Sequence, residues 1–380
     1  MNRIPRQVIF LAIPALLFLL PWWVLVYTTT SGAACWALSA LFVLGYIGLP
    51  AAMFTGHGPK QSDTAALIGD TGLGVMWVLF TWSAIGAVAR TVLILAGVDD
   101  PARSRIVTLG VLVISAALVA WGIYEARRIP RVLTVDVTIP KLAPGLDGLR
   151  VVVVTDTHYA ATDRLRWSER VVEVVNAQKP DIACHAGDLA DGSVVKRRAQ
   201  VDPLGKVEAT LGRFYITGNH EYFGDAPGWI EHMAGLGWQP LHNQHEILTR
   251  DGDRLVMAGI DDPTGVALTG HGPNLPAALS GADPELPVIL LAHQPKQITD
   301  AVEHGVALQI SGHTHGGQIW PFRYLVLLDQ PVVAGLSRHG ATQLYTSRGT
   351  GFWGPQLRVF APSEITVLVL RSPELAGTAA

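Results

Sequence analysis

Two histidines, His313 and His315, lie one residue apart between glycines in the stretch ISGHTHGGQIW, residues 310–320. An extended strand turns residues i and i+2 to the same face, so this spacing can aim both imidazoles at one point. Imidazole rings bind divalent cations and exchange protons near neutral pH. A structural explanation also exists, because a strand can carry two histidines on one face and glycines often mark a turn. The spacing alone leaves both interpretations open.

Four more groups of polar residues follow apolar runs that are typical of buried strands. They are Asp156-Thr157-His158, the stretch GDLAD that contains Asp188 and Asp191, Gly218-Asn219-His220-Glu221, and Ala292-His293-Gln294. Each group has its own structural explanation, such as a helix cap for Asp188 or a turn for Asn219. Open α/β sheets, however, place their sites at the carboxyl ends of their strands. Five groups with metal-ligand chemistry at successive strand ends therefore favour one functional site.

The elements that must position these groups read as a layered α/β domain, from about residue 132 to residue 371. Strands are predicted at 149–156, 180–188, 212–219, 254–261, 287–294 and 307–313. Helical patterns are predicted between some of them, at 164–178 and 296–303. The tail, residues 372–380, is expected to be disordered.

The first third of the chain is much more apolar than this domain. The mean hydropathy of the whole chain is +0.32, and only 16% of its residues are charged. Four apolar stretches in the first third account for this high mean hydropathy. Each is close to the roughly 20 residues that a membrane-spanning helix needs. We therefore predict a bundle of four transmembrane helices within residues 1–126, a linker and first strand at 127–148, and the α/β domain at 149–371. The predicted spans are 8–27, 33–54, 73–96, which carries Arg90, and 106–124.

Charge in the loops predicts the orientation of the spans. With the N-terminus inside, six basic residues lie on the inner side and only Arg103 and Arg105 on the outer side. The positive-inside rule then places both ends of the chain and the α/β domain in the cytoplasm, at the inner membrane. A net charge of −3 and the lack of a basic patch argue against a nucleic-acid partner. The inner basic residues are Arg3, Arg6, Lys60, Arg127, Arg128 and Arg131.

The ordered blocks D-x-H, G-D-x-x-D, G-N-H-E, an isolated histidine and G-H-T-H resemble the calcineurin-like metallophosphoesterase superfamily. The stretches GGQIWPF and LYTSRGTGFWGPQLRVFAPSEITVLVLR resemble its membrane-associated bacterial branch. The resemblance implies an α/β sandwich that hydrolyses phosphoesters with two divalent metal ions, for which manganese, iron, zinc or magnesium are candidates. It implies Asp188 as the bridging ligand. The other implied ligands are Asp156, His158 and His315 for one ion, and Asn219, His293 and His313 for the other.

The same resemblance implies that His220 protonates the leaving oxygen or stabilises the transition state, and that Asp191 orients His220. Related phosphoprotein phosphatases have arginines after two of these blocks, where this chain has Gly192 and Tyr222. The run 196–198, Lys-Arg-Arg, either replaces that clamp or is a solvated charge run, the interpretation we favour. Without the clamp, a phosphodiester or pyrophosphate is the expected substrate.

The apolar stretch WPFRYLVLL, 320–328, is either an ordinary strand or core helix, or a flap that lies on the bilayer and receives a lipid tail. The second interpretation favours a lipid-linked substrate. Two alternatives for the whole protein are a membrane-tethered phosphodiesterase for a soluble nucleotide-type substrate and a catalytically silent membrane sensor.

Overall fold

The computed structural model describes residues 6–58 and 60–376. The chain divides into two compact units. A helical unit contains the residues up to Arg127 together with segments 319–321 and 354–359. An α/β unit contains 128–318, 322–353 and the residues from 360 onward.

The helical unit is built from long apolar helices. Helix α1, Arg6–Trp22, continues into a π-helical turn at Trp23–Tyr27. The later helices are α2, Gly32–His57, α3, Asp63–Leu95, and α4, Ala102–Arg127. Of the described residues, α2, α3 and α4 are long and apolar enough to cross a membrane, whereas Pro14–Tyr27 forms a shorter apolar helix. The second, third and fourth predicted spans are thus confirmed as helices of sufficient length, and the first, 8–27, stays a prediction.

Helix α3 begins ten residues earlier than the predicted third span and so includes a charged residue, Asp70, that the prediction had left outside. Asp70 Oδ1 lies 2.8 Å from His57 Nε2 of α2, so the charge is paired within the unit. Arg90, the charged residue within the predicted third span, donates to Ser104 Oγ at 2.5 Å and to Asp100 Oδ2 at 3.0 Å. Asp70 and Arg90 therefore each have a polar partner within the helical unit, as charged groups in a membrane span would require.

Two short segments from late in the sequence pack among the helices of this unit. Trp77 donates its indole N–H to the carbonyl of Ile319 at 3.1 Å. Leu357 and Val359 are buried in one cluster with Val78. A side chain at Gly74 of α3 would place its Cβ 2.6 Å from Leu357 Cδ1, so the glycine permits this approach. This differs from the predicted domain 149–371, which treated these residues as part of one continuous α/β domain.

The α/β unit contains two six-stranded sheets, with strand orders β1-β12-β2-β3-β4-β5 and β10-β11-β9-β8-β7-β6. Strands β2 to β5 are parallel, as are β7, β8, β9 and β11. The strands are β1 Arg131–Thr138, β2 Arg150–Val154, β3 Ile182–Ala186, β4 Gly212–Ile216, β5 Gln239–Pro240, β6 Gln244–Arg250, β7 Asp253–Gly259, β8 Val288–Leu291, β9 Leu308–Ser311, β10 Gly335–His339, β11 Thr342–Thr346 and β12 Glu364–Arg371.

The two sheets face each other across one apolar core, which joins residues such as Val151 and Phe214 with Met257 and Ile310. Helices cover the outer face of each sheet, and apolar clusters bury the contacts. The helices of this unit are α5 Leu165–Ala177, α6 Val194–Val201, α7 Asn219–Phe223, α8 Ala226–Gly235, α9 Thr264–Thr269, α10 Leu275–Ala278, α11 Ile298–Glu303, α12 Arg323–Val326 and α13 Pro373–Ala376. The unit is an α/β/β/α sandwich.

All six predicted strands and both predicted helices of this unit are confirmed. The predicted disordered tail differs in its first part. Ser372 is buried, donates through its backbone N–H to Asp147 and through its hydroxyl to the carbonyl of Leu142, and precedes the short helix α13. Residues 377–380 lie outside the described residues.

Candidate metal centre

The nine residues predicted for the site all follow the carboxyl ends of parallel strands. Asp156 and His158 follow β2, and Asp188 and Asp191 follow β3. Asn219 and His220 open α7 after β4, while His293 follows β8 and the pair His313 and His315 follows β9. Because β2, β3 and β4 are adjacent in one sheet, and β8 and β9 are adjacent in the other, their carboxyl ends bring these loops together.

One cluster of candidate ligands contains Asp156, His158 and His315. His158 Nε2 lies 3.1 Å from His315 Nε2, and His315 Nε2 lies 3.4 Å from Asp156 Oδ1. Ligand atoms bound about 2.1 Å from one cation lie roughly 3.0–3.4 Å apart in octahedral or tetrahedral geometry. The spacing of the three side chains thus suits a shared divalent cation.

A second cluster contains Asp188, His293 and His313. His293 Nε2 lies 3.2 Å from Asp188 Oδ2, and the amide oxygen of Asn219 lies 2.9 Å from His313 Nδ1. His293 Nδ1 donates to the carbonyl of Ala186 at 2.8 Å, which leaves Nε2 as the lone-pair atom that can bind a metal. Asn219 therefore supplies an amide oxygen beside this cluster.

One oxygen of Asp188 faces both clusters. Its Oδ2 atom lies 3.5 Å from His158 Nε2 and 3.2 Å from His293 Nε2. The Oδ1 atom accepts the backbone N–H of His220 at 2.9 Å, which fixes the carboxylate in this orientation. Asp188 is thus the described side chain that the geometry places between the two candidate ligand sets.

The buried polar atoms of the site fit a cation. Asp156 Oδ2 and His293 Nε2 are buried and have no hydrogen-bond partner among the described atoms. Burial and the neighbouring charge of Asp188 raise the pKa of Asp156, although His293 and His158 oppose the shift. Burying polar atoms without a partner costs free energy, and a cation bound to carboxylate and imidazole would offset that cost. The donor set, oxygen and nitrogen without thiolate, suits Mn, Fe, Zn or Mg.

The backbone at the ligands is unusual. Asp156, His158, Asp188, His313 and His315 all have φ between 44° and 68°, the left-handed region that ordinary residues rarely adopt. Such conformations cost free energy and cluster at functional sites. The glycines beside the ligands have a separate role, because a Cβ at Gly312 would lie 2.2 Å from Asp156 Oδ2. The flanking glycine therefore makes room for the ligand carboxylate itself.

His220 lies beside the clusters and is held by Asp191. Asp191 Oδ1 accepts from Nδ1 of both His220, at 2.8 Å, and His158, at 2.9 Å. Burial lowers the pKa of His220, but the carboxylates of Asp188 and Asp191 outweigh it and raise that pKa to about 9. Burial alone would raise the pKa of Asp191. The neighbouring His158 and His220 outweigh it and hold that pKa well below its usual range. The structure thus gives Asp191 two imidazole partners where one was expected.

Glu221 is a further residue of the site whose role the sequence analysis missed. Its buried carboxylate accepts backbone N–H groups from Asp188 at 3.0 Å, Leu189 at 2.7 Å, Ala190 at 3.3 Å and Gly218 at 2.6 Å. It therefore ties the loop after β3 to the loop after β4. The signal was present, because Glu221 is the last residue of the G-N-H-E block.

Two other predictions differ from the structure. Arg197 is buried and donates to the backbone carbonyl of Asp191 at 3.1 Å, so the run 196–198 is not simply a solvated charge run. The segment 322–328 contains the short helix α12, which buries none of its residues, and Leu328 is 83% exposed. The interpretation of this stretch as a strand or core helix was therefore wrong for these residues.

Comparisons with known proteins identify the family of this chain. A family model for calcineurin-like phosphoesterases matches residues 149–317. A transmembrane protein with metallophosphoesterase domain from Danio rerio is 36% identical over 273 residues, which are 70% of this chain and 62% of that protein. An uncharacterized metallophosphoesterase of Campylobacter jejuni is 35% identical over 290 residues, 74% of this chain and 75% of that one.

A third relative, an uncharacterized metallophosphoesterase of Bacillus subtilis, is 31% identical over 271 residues, 68% of this chain and 93% of that protein. The matched region spans 62% of the Danio rerio protein and 62% of its Bos taurus counterpart.

Proposed function

Since this chain belongs to the calcineurin-like phosphoesterase family, we propose that its α/β unit is a two-metal hydrolase of phosphodiesters or pyrophosphates. The observation that carries the proposal is the position of Asp188 Oδ2, 3.5 Å from His158 Nε2 and 3.2 Å from His293 Nε2. A single carboxylate oxygen between two ligand sets is the arrangement that two neighbouring cations require, because their mutual repulsion must be offset.

The residues divide into two ligand sets that share Asp188. Asp156, His158 and His315 would hold one cation, and Asn219, His293 and His313 the other. When bound, two divalent cations supply the Lewis acidity that activates water and offsets the charge of the phosphate. The protein holds the imidazoles in the tautomer this needs, since Nδ1 of His158 donates to Asp191 and Nδ1 of His293 donates to Ala186.

We assign His220 the role of proton donor to the leaving oxygen. Its Nδ1 is bonded to Asp191 at 2.8 Å, which leaves Nε2 as the ring atom that can exchange a proton with a substrate. The carboxylate of Asp191 stabilises the protonated ring and fixes its plane. Asp191 is therefore a positioning residue, and His220 is the residue expected to contact the reacting group.

The preference for diesters rests on the side chains after the G-N-H-E block. The positions that follow Glu221 are Tyr222 and Phe223, and Tyr222 is engaged with Thr217 at 3.2 Å. Arg197 donates its Nε–H to the carbonyl of Asp191. Because Gly192 and Tyr222 occupy the positions where related phosphatases have their clamping arginines, a substrate with one fewer negative charge on phosphorus is the better match.

The lipid-linked class of substrate is supported by the membrane helices and by the exposed segment 322–328. Within the part of the chain that the structure describes, three helices are long and apolar enough to span a bilayer. The segment that follows the ligand loop exposes Phe322, Tyr324, Leu325, Leu327 and Leu328. We infer a position for the α/β unit on the cytoplasmic face of the inner membrane from the excess of inner basic residues that four spans would give.

The test is hydrolysis of bis-p-nitrophenyl phosphate and p-nitrophenyl phosphate by the purified full chain with Mn, Mg or Zn. We expect faster turnover of the diester, dependence on added cation, and loss of activity in Asp188→Ala. The matched control is Asp251→Ala, which removes an exposed carboxylate between β6 and β7. Faster turnover of the monoester would overturn the diester preference. Bound cations without any turnover would instead indicate a catalytically silent sensor.

A further inference from the structure

Two exposed aromatic rings contact the imidazole of His220. The ring of Phe223 lies 5.5 Å from it and that of Trp353 lies 5.7 Å from it, centroid to centroid, both edge-to-face. Phe223 is 63% exposed and Trp353 is 46% exposed, while the side chain of His220 itself is 15% exposed. Two large apolar rings this exposed, both in contact with a residue expected to act on substrate, form an apolar surface of the kind that marks ligand-binding sites.

Each ring is fixed to a loop that carries metal ligands. Phe223 is the last residue of α7, the short helix that begins with Asn219 and His220. Trp353 donates its backbone N–H to Gln318 Oε1 at 2.9 Å and accepts from Gln318 Nε2 at 2.8 Å. Gln318 is buried and lies three residues after His315. Both rings are therefore held in place by the same loops that hold the ligands, as substrate-binding groups must be.

We propose that Phe223 and Trp353 form a subsite for the apolar part of the leaving group. The inference rests on the proposed function, because it takes His220 as the donor to the leaving oxygen. The group attached to that oxygen must then extend away from His220, and both rings offer exposed apolar surface beside His220. An apolar chain or a flat ring would remove that surface from water and gain roughly 25 cal/mol for each Å² buried.

The subsite selects for leaving groups with apolar surface, such as the acyl-bearing alcohol of a lipid or the base of a nucleoside. The segment 322–328 supports the acyl-bearing case. The backbone of Arg323 lies so close to Gly317 that a Cβ there would be 2.5 Å from Arg323 Cα. The exposed apolar residues of α12 and its flanks thus adjoin the ligand loop to which Trp353 is also bonded.

The experiment measures inhibition of bis-p-nitrophenyl phosphate hydrolysis by n-alkyl phosphates from methyl to octyl, and separately by uridine 5′-phosphate. In the unaltered protein we expect the inhibition constant to fall with chain length, by up to about four-fold for each added methylene. Phe223→Ala and Trp353→Ala should each flatten this dependence, and Trp353→Phe should restore most of it. Leu336→Ala, which removes an exposed apolar side chain from the edge strand β10, should leave it unchanged.

The outcomes separate the two proposals. No turnover of the diester with any cation would refute the proposed function itself. Turnover with a chain-length dependence that survives both alanine variants would overturn the subsite alone. If the alanine variants flatten the chain-length dependence of inhibition by the alkyl phosphates, the leaving group is a lipid alcohol. If they affect only uridine 5′-phosphate, the subsite stands and its occupant is a nucleoside. Cation content measured in each variant shows that the ligand loops are intact.

Discussion

Asp191 Oδ1 joins two histidines, since it lies 2.8 Å from His220 Nδ1 and 2.9 Å from His158 Nδ1. One carboxylate thus sets the tautomer of a candidate ligand and of the candidate proton donor. The two proposed functions of the site, cation binding and proton transfer, would be coupled through a residue that is expected to perform neither directly.

Asp191→Asn tests this coupling. The amide keeps the shape of the side chain but not the charge that stabilises a protonated His220. We expect kcat for bis-p-nitrophenyl phosphate to fall about 10- to 100-fold at saturating cation, with a smaller change in KM. Cation affinity should also fall, because His158 loses the same partner.

The matched control is Asp202→Asn, which changes another Asp–His pair, Asp202 Oδ1 to His232 Nε2 at 2.9 Å, outside the site. It should leave kcat and cation affinity unchanged. If Asp191→Asn kept the kcat of the unaltered protein at saturating cation, the positioning role would be wrong.

The shared position of Asp188 predicts how many cations each variant retains. His293→Ala removes a side chain that belongs to only one of the two candidate ligand sets, so about one cation per chain should remain. Asp188→Ala removes the oxygen that faces both sets and should leave less than one. Elemental analysis of the purified protein after dialysis gives the ratio, and equal losses in the two variants would contradict a bridging position.

Glu221→Gln tests the bond between the two ligand loops. The carboxylate accepts four backbone N–H groups, and an amide would turn a donor toward some of them. Losing charge-assisted hydrogen bonds of this kind costs about 2–4 kcal/mol, or roughly 5–12 °C in Tm for a unit of this size. Thermal unfolding without added cation measures it.

The control for this variant is Glu173→Gln, the same change at an exposed position of α5. Its Tm should stay within about 2 °C of the unaltered protein, as for most surface substitutions. A Glu221→Gln variant as stable as this control would show that the four hydrogen bonds contribute little.

The pair His242 and Asp261 predicts a dependence of stability on pH. His242 Nδ1 lies 2.6 Å from Asp261 Oδ1, and this hydrogen bond raises the pKa of His242 above its ordinary value of 6.5. The raised pKa means that the pair stabilises the folded state fully below pH 6.5, and that this contribution is lost as the pH rises through the folded-state pKa.

We therefore expect the Tm difference between the unaltered protein and His242→Gln to be largest near pH 6 and to shrink toward pH 9. Melting curves of both proteins across that range give the difference directly. A difference that grew with pH would have the wrong sign and would exclude the pair as its source.

Orientation depends on the number of spans, because each span reverses the side of the membrane. With four spans and the N-terminus inside, a green fluorescent protein fused to the C-terminus should fluoresce, and an alkaline phosphatase fused there should be inactive. The opposite pattern would place the α/β unit outside and would contradict the positive-inside argument.

The sequence alone determined the parts of this protein that depend on neighbouring residues. Apolar length identified α2, α3 and α4, and short apolar runs identified the strands, since both follow from burial of a local segment. It also predicted a site from the polar residues at strand ends, because parallel strands bring those ends to one edge. All nine predicted residues follow the carboxyl ends of parallel strands.

Only the tertiary structure decided the features that join residues far apart in sequence. The left-handed backbone of His158 and His315 is imposed by the surrounding fold against local preference. The double role of Asp191, the three bonds from Glu221 to the loop after β3 and the ring of Trp353 beside His220 each join separate loops. Contacts between residues so far apart in the chain leave no periodic pattern in the sequence, so they become visible only when the loops are folded together.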